Sequence, residues 1–325
     1  MMKAASFLVA SYAFVPLIIY LCPWTLSYAI FAHLLRVPYF VALNRPEYVL
    51  NHTCNFYLEP EPGVRVGVWH TLPASQWDEA AAGRGPEWYR AALGDGSPVI
   101  IYLHGNVGTR AKDHRVQLVK ILSTAGFHIL SLDYRGFGDS TGQPSERGMT
   151  ADALHLYTWV KRRSGGSVVS LWGHSLGSGV ASNTAVKLQE QGSILDALIL
   201  EAPFTSIGEV VVNFPLAKLY TFLPGFELFL WNTLETNKLR FSNEDNLKVL
   251  TCSLLILHAE DDDMVPYQMG QKLYQISART HRDRSEDVPL EMISYPASRG
   301  FSHNDIYLDP GLAKSVGEFL HKVRR

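Results

Sequence analysis

The stretch of sequence that decides the fold reads Val168-Val169-Ser170-Leu171-Trp172-Gly173-His174-Ser175-Leu176-Gly177. Its first five residues form a mostly apolar, strand-like run, and a helical pattern begins at Leu176. The motif Gly-x-Ser-x-Gly lies between them, and chance would place it about 0.1 times in a chain of this length. A sharp turn between a strand and a helix lifts a serine side chain above the edge of a sheet. The context therefore predicts that Ser175 is a nucleophile, rather than part of an ordinary surface turn.

Short apolar runs alternate with longer helix-like segments on both sides of this motif. The predicted strands are residues 99–103, 127–132, 168–172, 197–200, 254–257 and 290–295, and the predicted helices are 113–125, 150–163, 176–191, 267–278 and 312–323. This alternation indicates an α/β fold with a mainly parallel, doubly wound sheet and helices on both faces. Upstream, β-prone runs at 56–58 and 64–69 predict a hairpin, and residues 74–97 read as a polar loop.

Residues 204–246 interrupt the alternation, because they carry many apolar and aromatic side chains without a clear strand. We interpret this segment as a helical cap over the site. The alternative is an ordinary buried helical insertion, since aromatic residues at helical spacing usually belong to a core.

The nucleophile needs an acid that orients its base. Asp261, Asp262 and Asp263 follow the predicted strand at 254–257, and groups beyond the carboxyl end of such strands lie where these sheets bind ligands. The usual spacing before a Val-Pro pair favours Asp262. The alternative role of the three carboxylates is a solvated acidic turn.

Twelve histidines compete for the role of base, and their position in the chain selects among them. His303 follows the last predicted strand and completes the order serine, acid, histidine. An unreactive loop histidine is the alternative. His104 and His174 precede the acid, and packing at the end of a strand is enough to explain His258.

An oxyanion needs two backbone N–H donors, each worth about 3 kcal/mol of transition-state stabilisation. Leu176, directly after the nucleophile, supplies one. The second is assigned to the amide of Asn106, in the glycine-rich turn that follows the strand at 99–103. Residues 133–140 also follow a strand end, where bracing of the sheet edge explains them better than catalysis. The predicted reaction is ester cleavage through an acyl-enzyme, without a metal or cofactor.

Composition narrows the classes of partner. The 325 residues carry a net charge of −2, with both signs interspersed, whereas a nucleic-acid-binding surface needs clustered positive charge. Cys22, Cys54 and Cys252 lie far apart and indicate neither a zinc site nor a disulfide framework. We therefore expect neutral or amphiphilic partners, and the sequence does not define an oligomeric state.

The N-terminal residues 4–35 contain no Asp, Glu, Lys or Arg, and a run of this length can span a bilayer. A cleaved signal peptide also fits, because Ser27-Tyr28-Ala29 has the form of a cleavage site. Aromatic residues near the end of the run, such as Trp24 and Tyr39, favour a retained transmembrane helix. This interpretation divides the chain into an anchor at 1–35 and a catalytic domain at 36–325.

The sequence Asn51-His52-Thr53 is an N-glycosylation acceptor, which is usable only on the lumenal side of a membrane. Because it closely follows the membrane segment, it predicts a glycan on Asn51 and a lumenal or extracellular catalytic domain.

Beyond residue 35 the chain resembles the family of α/β-hydrolase domain-containing protein twelve. The resemblance rests on Arg36-Val37-Pro38-Tyr39-Phe40, Asn51-His52-Thr53-Cys54-Asn55, Gly67-Val68-Trp69-His70-Thr71, Tyr102-Leu103-His104-Gly105-Asn106, Ser145-Glu146-Arg147-Gly148-Met149-Thr150 and Leu257-His258-Ala259-Glu260-Asp261-Asp262. The family consists of membrane-bound lipases of the endoplasmic reticulum that face its lumen and cleave lysophosphatidylserine and monoacylglycerols. The resemblance implies an α/β-hydrolase fold, these lipid substrates, and a triad of Ser175, Asp262 and His303.

Three functions remain open at this point. The first is a lumenal lipase for single-chain lipids, which suits both a membrane anchor and an aromatic cap. The second is an esterase or peptidase of the same fold that acts on non-lipid substrates. The third is a hydrolase-like binding protein without turnover, which three filled triad positions disfavour.

Overall fold

The computed structural model describes residue 12 and residues 14–80, 84–283 and 288–323. Within these ranges, eight strands form one sheet in the order β1-β2-β4-β3-β5-β6-β7-β8. The strands are β1 (Thr53–Glu61), β2 (Val64–Thr71), β3 (Val99–Leu103), β4 (His128–Asp133), β5 (Val169–His174), β6 (Ala197–Glu201), β7 (Ser253–Ala259) and β8 (Leu290–Tyr295). β1 pairs antiparallel with β2, and β2 pairs antiparallel with β4. All other pairs are parallel, which confirms the predicted mainly parallel sheet and its upstream hairpin.

Helices connect the strands and cover both faces of the sheet. They are α1 (Phe14–Leu21), α2 (Trp24–Phe31), α3 (Trp77–Ala80), α4 (Pro86–Ala92), α5 (Asp113–Thr124), α6 (Glu146–Lys161), α7 (Leu176–Glu190), α8 (Ile207–Asn213), α9 (Pro215–Lys218), α10 (Phe226–Thr236), α11 (Asn243–Leu247), α12 (Tyr267–Asp283) and α13 (Leu312–Val323). The predicted helices agree with α5, α6, α7, α12 and α13 within a few residues at each end.

The core consists of two apolar clusters, one on each face of the sheet. Consecutive strand residues contribute to opposite clusters, because side chains alternate along a strand. Ile101 and Leu171 belong to one cluster, and Ile100 and Trp172 belong to the other. All four side chains are fully buried, which explains why the central strands read as continuous apolar runs.

The prediction of a plain loop at residues 74–97 is wrong in its described part. Two short helices, α3 and α4, lie there, and Tyr89 and Leu93 are buried. Pro86 occupies the first turn of α4, where its missing N–H costs no hydrogen bond. The polar composition concealed helices that contribute only a few side chains to the core.

The N-terminal apolar segment differs from the single span that we expected. In its described part, no single helix is long and apolar enough to cross a membrane; α1 and α2 together pass by length and composition, but the pair is bent by 111°. Leu26, Ile30 and Phe31 of α2 are buried in the same cluster as the central strands. Residues 4–11 and 13 of the predicted span lie outside the described residues. The division of the chain at residue 35 stays a prediction.

The insertion at 204–246 is helical, as expected. It contains α8, α9 and α10 and the start of α11. The segment follows the carboxyl end of β6, which lies at the same edge of the sheet as Ser175 after β5. Its Tyr220, Phe226 and Leu230 form a small buried cluster of their own. The position fits a cap, whose function over the site stays a prediction.

Candidate active site

Ser175 lies in a strained turn between β5 and α7, as the motif predicts. Its backbone has φ 53° and ψ −119°, a region that non-glycine residues rarely adopt. Its N–H donates to the carbonyl of Glu201 at 3.0 Å, which ties the turn to β6. A Cβ on Gly177 would lie 1.9 Å from the carbonyl oxygen of Leu103, so only glycine fits at this position. The sharp turn therefore depends on the close approach of β3.

The structure brings Ser175, His303 and Asp262 into one hydrogen-bonded chain. His303 Nε2 lies 2.9 Å from Ser175 Oγ, and its Nδ1 lies 2.8 and 3.0 Å from the two carboxylate oxygens of Asp262. Asp262 Oδ1 also accepts the backbone N–H groups of Met264 and Val265 at 2.9 and 2.8 Å. These contacts hold the carboxylate in place, and the chain has the geometry that activates a serine hydroxyl.

The carboxylate of Asp262 is held in its ionised form. Burial alone would raise its pKa, but contacts with His258 and His303 outweigh burial and hold the pKa well below its usual range. His258 Nε2 lies 3.2 Å from Asp262 Oδ2 and 3.0 Å from the carbonyl oxygen of Val265. His258 thus borders the acid, a contact that its position at a strand end did not reveal. An ionised Asp262 can stabilise an imidazolium on His303.

The two predicted oxyanion residues lie on different segments near Ser175. Leu176 follows it directly in the chain, and Asn106 lies in the loop after β3, the strand that pairs with β5. Leu176 is the first residue of α7, so its N–H has no acceptor within the helix. The loop that carries Asn106 passes beside the nucleophile, because a Cβ on Gly105 would lie 3.2 Å from Ser175 Cβ. The Asn106 side chain donates to the carbonyl of Ile30 in α2 at 3.4 Å. The N-terminal segment therefore borders this loop, a contact that no local motif indicates.

Residues 133–140 form a buried polar cluster that supports the sheet edge, as expected. Asp133 accepts from the backbone N–H of Arg110 at 2.7 Å and from its guanidinium at 2.6 Å. The same guanidinium donates to Asp139 at 2.8 Å. Both Arg110 and Asp133 are almost completely buried. This ion cluster anchors the loop before α5 to the end of β4.

His174 packs against the base and stays neutral. Its Nε2 lies 2.9 Å from the carbonyl oxygen of His303, so that nitrogen carries the proton and donates. Burial, and then the nearby His303, hold the pKa of His174 well below its usual range. A neutral neighbour positions the loop of His303 without adding a charge next to the base.

Two buried charged side chains near the nucleophile lack a sequence motif. Glu201 ends β6 and accepts from Trp172 Nε1 at 2.8 Å. Its burial raises the pKa of its carboxyl to about 7. Arg115, near the start of α5, is 1% exposed and contacts the Asn106 loop. Only the folded structure identifies these two residues as neighbours of the site, because neither belongs to a recognisable sequence pattern.

An open cleft of about 860 Å³ lies between α6, α7 and α10, and its walls include Leu154, Trp231 and Leu239. None of the three residues of the hydrogen-bonded chain lines it.

In the described part of the chain, no group of three or more His, Cys, Asp or Glu side chains is arranged to hold a metal ion. Asn51, the predicted glycan acceptor, is exposed.

Comparisons with known proteins identify the class. A family model described as alpha/beta hydrolase fold matches residues 98–226. The esterase Pf2001 of Pyrococcus furiosus has a similar fold, with a TM-score of 0.60, 16% identity, and coverage of 89% of this chain and 96% of that one. The protein is a serine hydrolase with the α/β-hydrolase fold.

Two curated relatives identify the family. The lysophosphatidylserine lipase ABHD12 of Bos taurus is 48% identical over 98% of this chain and 80% of its own length. The human protein ABHD12B is 48% identical over 90% of this chain and 79% of its own length. The chain belongs to the ABHD12 family, as its sequence resemblance indicates.

Proposed function

We propose that this protein hydrolyses the acyl ester of single-chain lipids: lysophosphatidylserine, other lysophospholipids and monoacylglycerol. The observation that carries the proposal is the hydrogen-bonded chain from Ser175 through His303 to Asp262. The name of the 48% identical bovine relative, a lysophosphatidylserine lipase, supports the substrate class.

The proposed reaction has two steps. Ser175 Oγ attacks the ester carbonyl while His303 Nε2 takes its proton, and the amides of Asn106 and Leu176 bind the oxyanion. The tetrahedral intermediate then collapses, and His303 returns the proton to the leaving alcohol, which is the deacylated glycerol with its head group, or glycerol itself in the case of a monoacylglycerol. Water next attacks the acyl group on Ser175 with His303 as base. This second step releases the fatty acid and restores the serine.

The apolar surface near the site supports an amphiphilic substrate. Phe14 and Leu17 of α1, and Leu216 and Phe222 of the insertion, are each at least half exposed. Tyr12, just before α1, stacks on Tyr220 with ring centroids 4.3 Å apart, so the N-terminal segment contacts the insertion. Contiguous apolar surface of this kind marks a membrane or ligand contact.

The proposal also includes the location of the enzyme. We propose that the N-terminal segment anchors it to the endoplasmic reticulum membrane, with residues 204–246 as the cap and the catalytic domain in the lumen. The exposed Asn51 would then carry a glycan. A mobility shift on glycosidase treatment, lost in Asn51→Gln, supports this topology, whereas digestion of the domain by a protease added to the cytosolic side contradicts it.

A release assay over a panel of lysophospholipids and monoacylglycerols tests the substrate class. We expect fatty acid release from single-chain lipids by the wild type and none above background by Ser175→Ala. Ser170→Ala is the matched control, because Ser170 is a buried serine of β5, the strand that leads to Ser175, and its loss should leave release unchanged. Cleavage of short soluble esters alone would favour a non-lipid esterase. Absence of fluorophosphonate labelling in the wild type would favour a binding protein without turnover.

A further inference from the structure

The loop that carries Asn106 surrounds one buried guanidinium. Arg115 Nη2 donates to the carbonyl oxygens of Gly105 at 3.3 Å, Asn106 at 3.1 Å and Val107 at 2.9 Å. Its Nη1 donates to the carbonyl oxygen of Thr109 at 2.9 Å. The side chain is 1% exposed. Four backbone carbonyls of one loop therefore point at a single charged group.

A trans peptide unit is planar, and its C=O and N–H point in opposite directions. The carbonyl of Gly105 and the N–H of Asn106 belong to the same peptide unit. Because the carbonyl points at Arg115, the N–H of Asn106 points away from it. Gly105 itself contacts Ser175, since a Cβ there would lie 3.2 Å from Ser175 Cβ. The Gly105 carbonyl oxygen also lies 2.6 Å from His104 Nδ1, so the guanidinium and this ring together hold the direction of the Asn106 amide.

Two neighbouring peptide units show the same orientation. The carbonyl of Val107 faces Arg115, and the N–H of Gly108 in that unit donates outward to the carbonyl of Leu35 at 2.8 Å. In the next such unit, the carbonyl of Thr109 faces Arg115, and the N–H of Arg110 donates to Asp133 at 2.7 Å. The arrangement of carbonyls inward and amides outward therefore extends along the loop.

The partners of Arg115 differ from those of the nearby buried Arg110. Arg110 forms ion pairs with Asp133 and Asp139. Within the described residues, no carboxylate lies within ion-pair distance of the Arg115 guanidinium, and its hydrogen bonds go to backbone carbonyls. Asp133 acts on it only from a longer distance. A buried guanidinium without a carboxylate is costly for stability. A charge kept at this cost, surrounded by the loop that borders Ser175, favours a role in the reaction.

We propose that Arg115 is a positioning residue for the oxyanion hole. Its guanidinium fixes the Gly105–Asn106 peptide unit so that the Asn106 N–H is aimed at the oxyanion, and it polarises that N–H through the carbonyl of the same unit. The inference rests on the proposed triad chemistry at Ser175, and it assigns no direct contact between Arg115 and the substrate.

The test compares Arg115→Lys and Arg115→Gln with the wild type, using a soluble short-chain ester and a trifluoromethyl ketone. The ketone adds to Ser175 Oγ and forms a tetrahedral oxyanion, so its inhibition constant reports the oxyanion hole. Complete loss of one such donor lowers kcat about 10²–10³-fold. We expect a fall in kcat of about 10- to 100-fold in Arg115→Lys, a rise of similar size in the inhibition constant, and a KM within about twofold of the wild type. Arg115→Gln should lose more, because it also lacks the charge.

Arg135→Lys is the matched control, because Arg135 is a buried arginine whose guanidinium, in the described part of the chain, hydrogen-bonds to Asp152 and Glu61 rather than to the loop that carries Asn106. It should lower the melting temperature and leave kcat and the inhibition constant within about twofold. The proposal is overturned if a folded Arg115→Lys keeps the wild-type kcat, or if its kcat falls while ketone binding is unchanged. If Arg115→Gln does not fold, Arg115→Lys decides the question. Failure of the wild type to cleave lipid esters would reject the proposed function alone, because neither probe is a lipid.

Discussion

Asp262 is the middle member of three consecutive aspartates, and each of the three carboxylates has a different partner. Asp262 contacts the ring of His303, whereas Asp261 accepts from the backbone N–H of Ser302 at 3.1 Å and Asp263 from its hydroxyl at 2.9 Å. The turn after β7 directs neighbouring side chains to different sides. The outer two aspartates therefore support the loop that carries His303, and the middle one orients the ring of His303.

This difference predicts unequal effects of isosteric substitutions. Asp262→Asn should lower kcat about 10⁴-fold, because an amide holds the imidazole of the base in the wrong tautomer. Asp261→Asn and Asp263→Asn, the matched controls, should lose less than about tenfold, since each keeps an oxygen that can accept the same hydrogen bond. Steady-state kinetics on a soluble ester checks the order. An equal loss in either control would assign the acid to another member of the run.

At the scale of elements, the N-terminal segment is joined to the loop that carries Asn106. The N–H groups of Gly108 and Thr109 donate to the carbonyls of Leu35 and Val37 at 2.8 and 2.9 Å. A Cβ on Gly108, whose φ is +87°, would lie 2.6 Å from the carbonyl oxygen of Val37. The loop is therefore held between Arg115 on one side and residues 35–37 on the other.

Removal of residues 1–38 should therefore damage catalysis even on a substrate that needs no membrane. We expect a fall in kcat of at least about tenfold on a soluble ester, because the loop that carries Asn106 loses two backbone hydrogen bonds. Loss of the buried Leu26, Ile30 and Phe31 should also destabilise the domain, by about 2 kcal/mol for each side chain.

Deletion of residues 1–22 is the control for this experiment, since it retains α2 and the Leu35 and Val37 carbonyls. Its kcat on the soluble ester should stay close to that of the full chain. The coupling is disproved if the deletion of residues 1–38 yields a folded protein with an unchanged kcat.

At the scale of the whole molecule, the apolar surface is concentrated near the catalytic edge. Leu216 and Phe222 of the insertion are 65% and 72% exposed, and they follow the carboxyl end of β6 in the chain. Ile194 is 63% exposed, but it precedes β6 and lies toward the opposite edge of the sheet. Because these side chains are similarly exposed, substitutions at the two edges compare the proposed lipid-binding surface with an ordinary surface.

The double variant Leu216→Ser/Phe222→Ser should therefore lose activity on aggregated lipid and keep its activity on a soluble ester. We expect the rate on monoacylglycerol micelles to fall at least about tenfold, since each of the two lost apolar contacts with the interface costs about 1–2 kcal/mol, while the rate on a soluble ester stays unchanged. Ile194→Ser should change neither rate. A double variant with wild-type activity on micelles would show that this surface does not bind lipid.

The sequence by itself determined most of the elements and the order of the proposed catalytic residues. Apolar runs of strand length, the elbow around Ser175, and a turn of aspartates before Val265 are local patterns, and local backbone preferences suffice to read them. The serine, acid, histidine order that is usual in this fold then selected Asp262 and His303. The polar helices at 74–97 were missed, because their few buried side chains leave no clear period.

Only the tertiary structure decided which distant groups meet at the nucleophile. Arg115, Glu201 and the Leu35 carbonyl lie in segments far apart in the chain, and no spacing relates them to Ser175. A buried charge needs partners, and those partners are backbone atoms that every sequence contains, so sequence patterns do not reveal them. The folded sheet edge brings the elbow, the Asn106 loop and the N-terminal segment together. For the same reason, the sequence predicts Asn106 as a donor, and only the structure shows that Arg115 hydrogen-bonds to the loop that carries it.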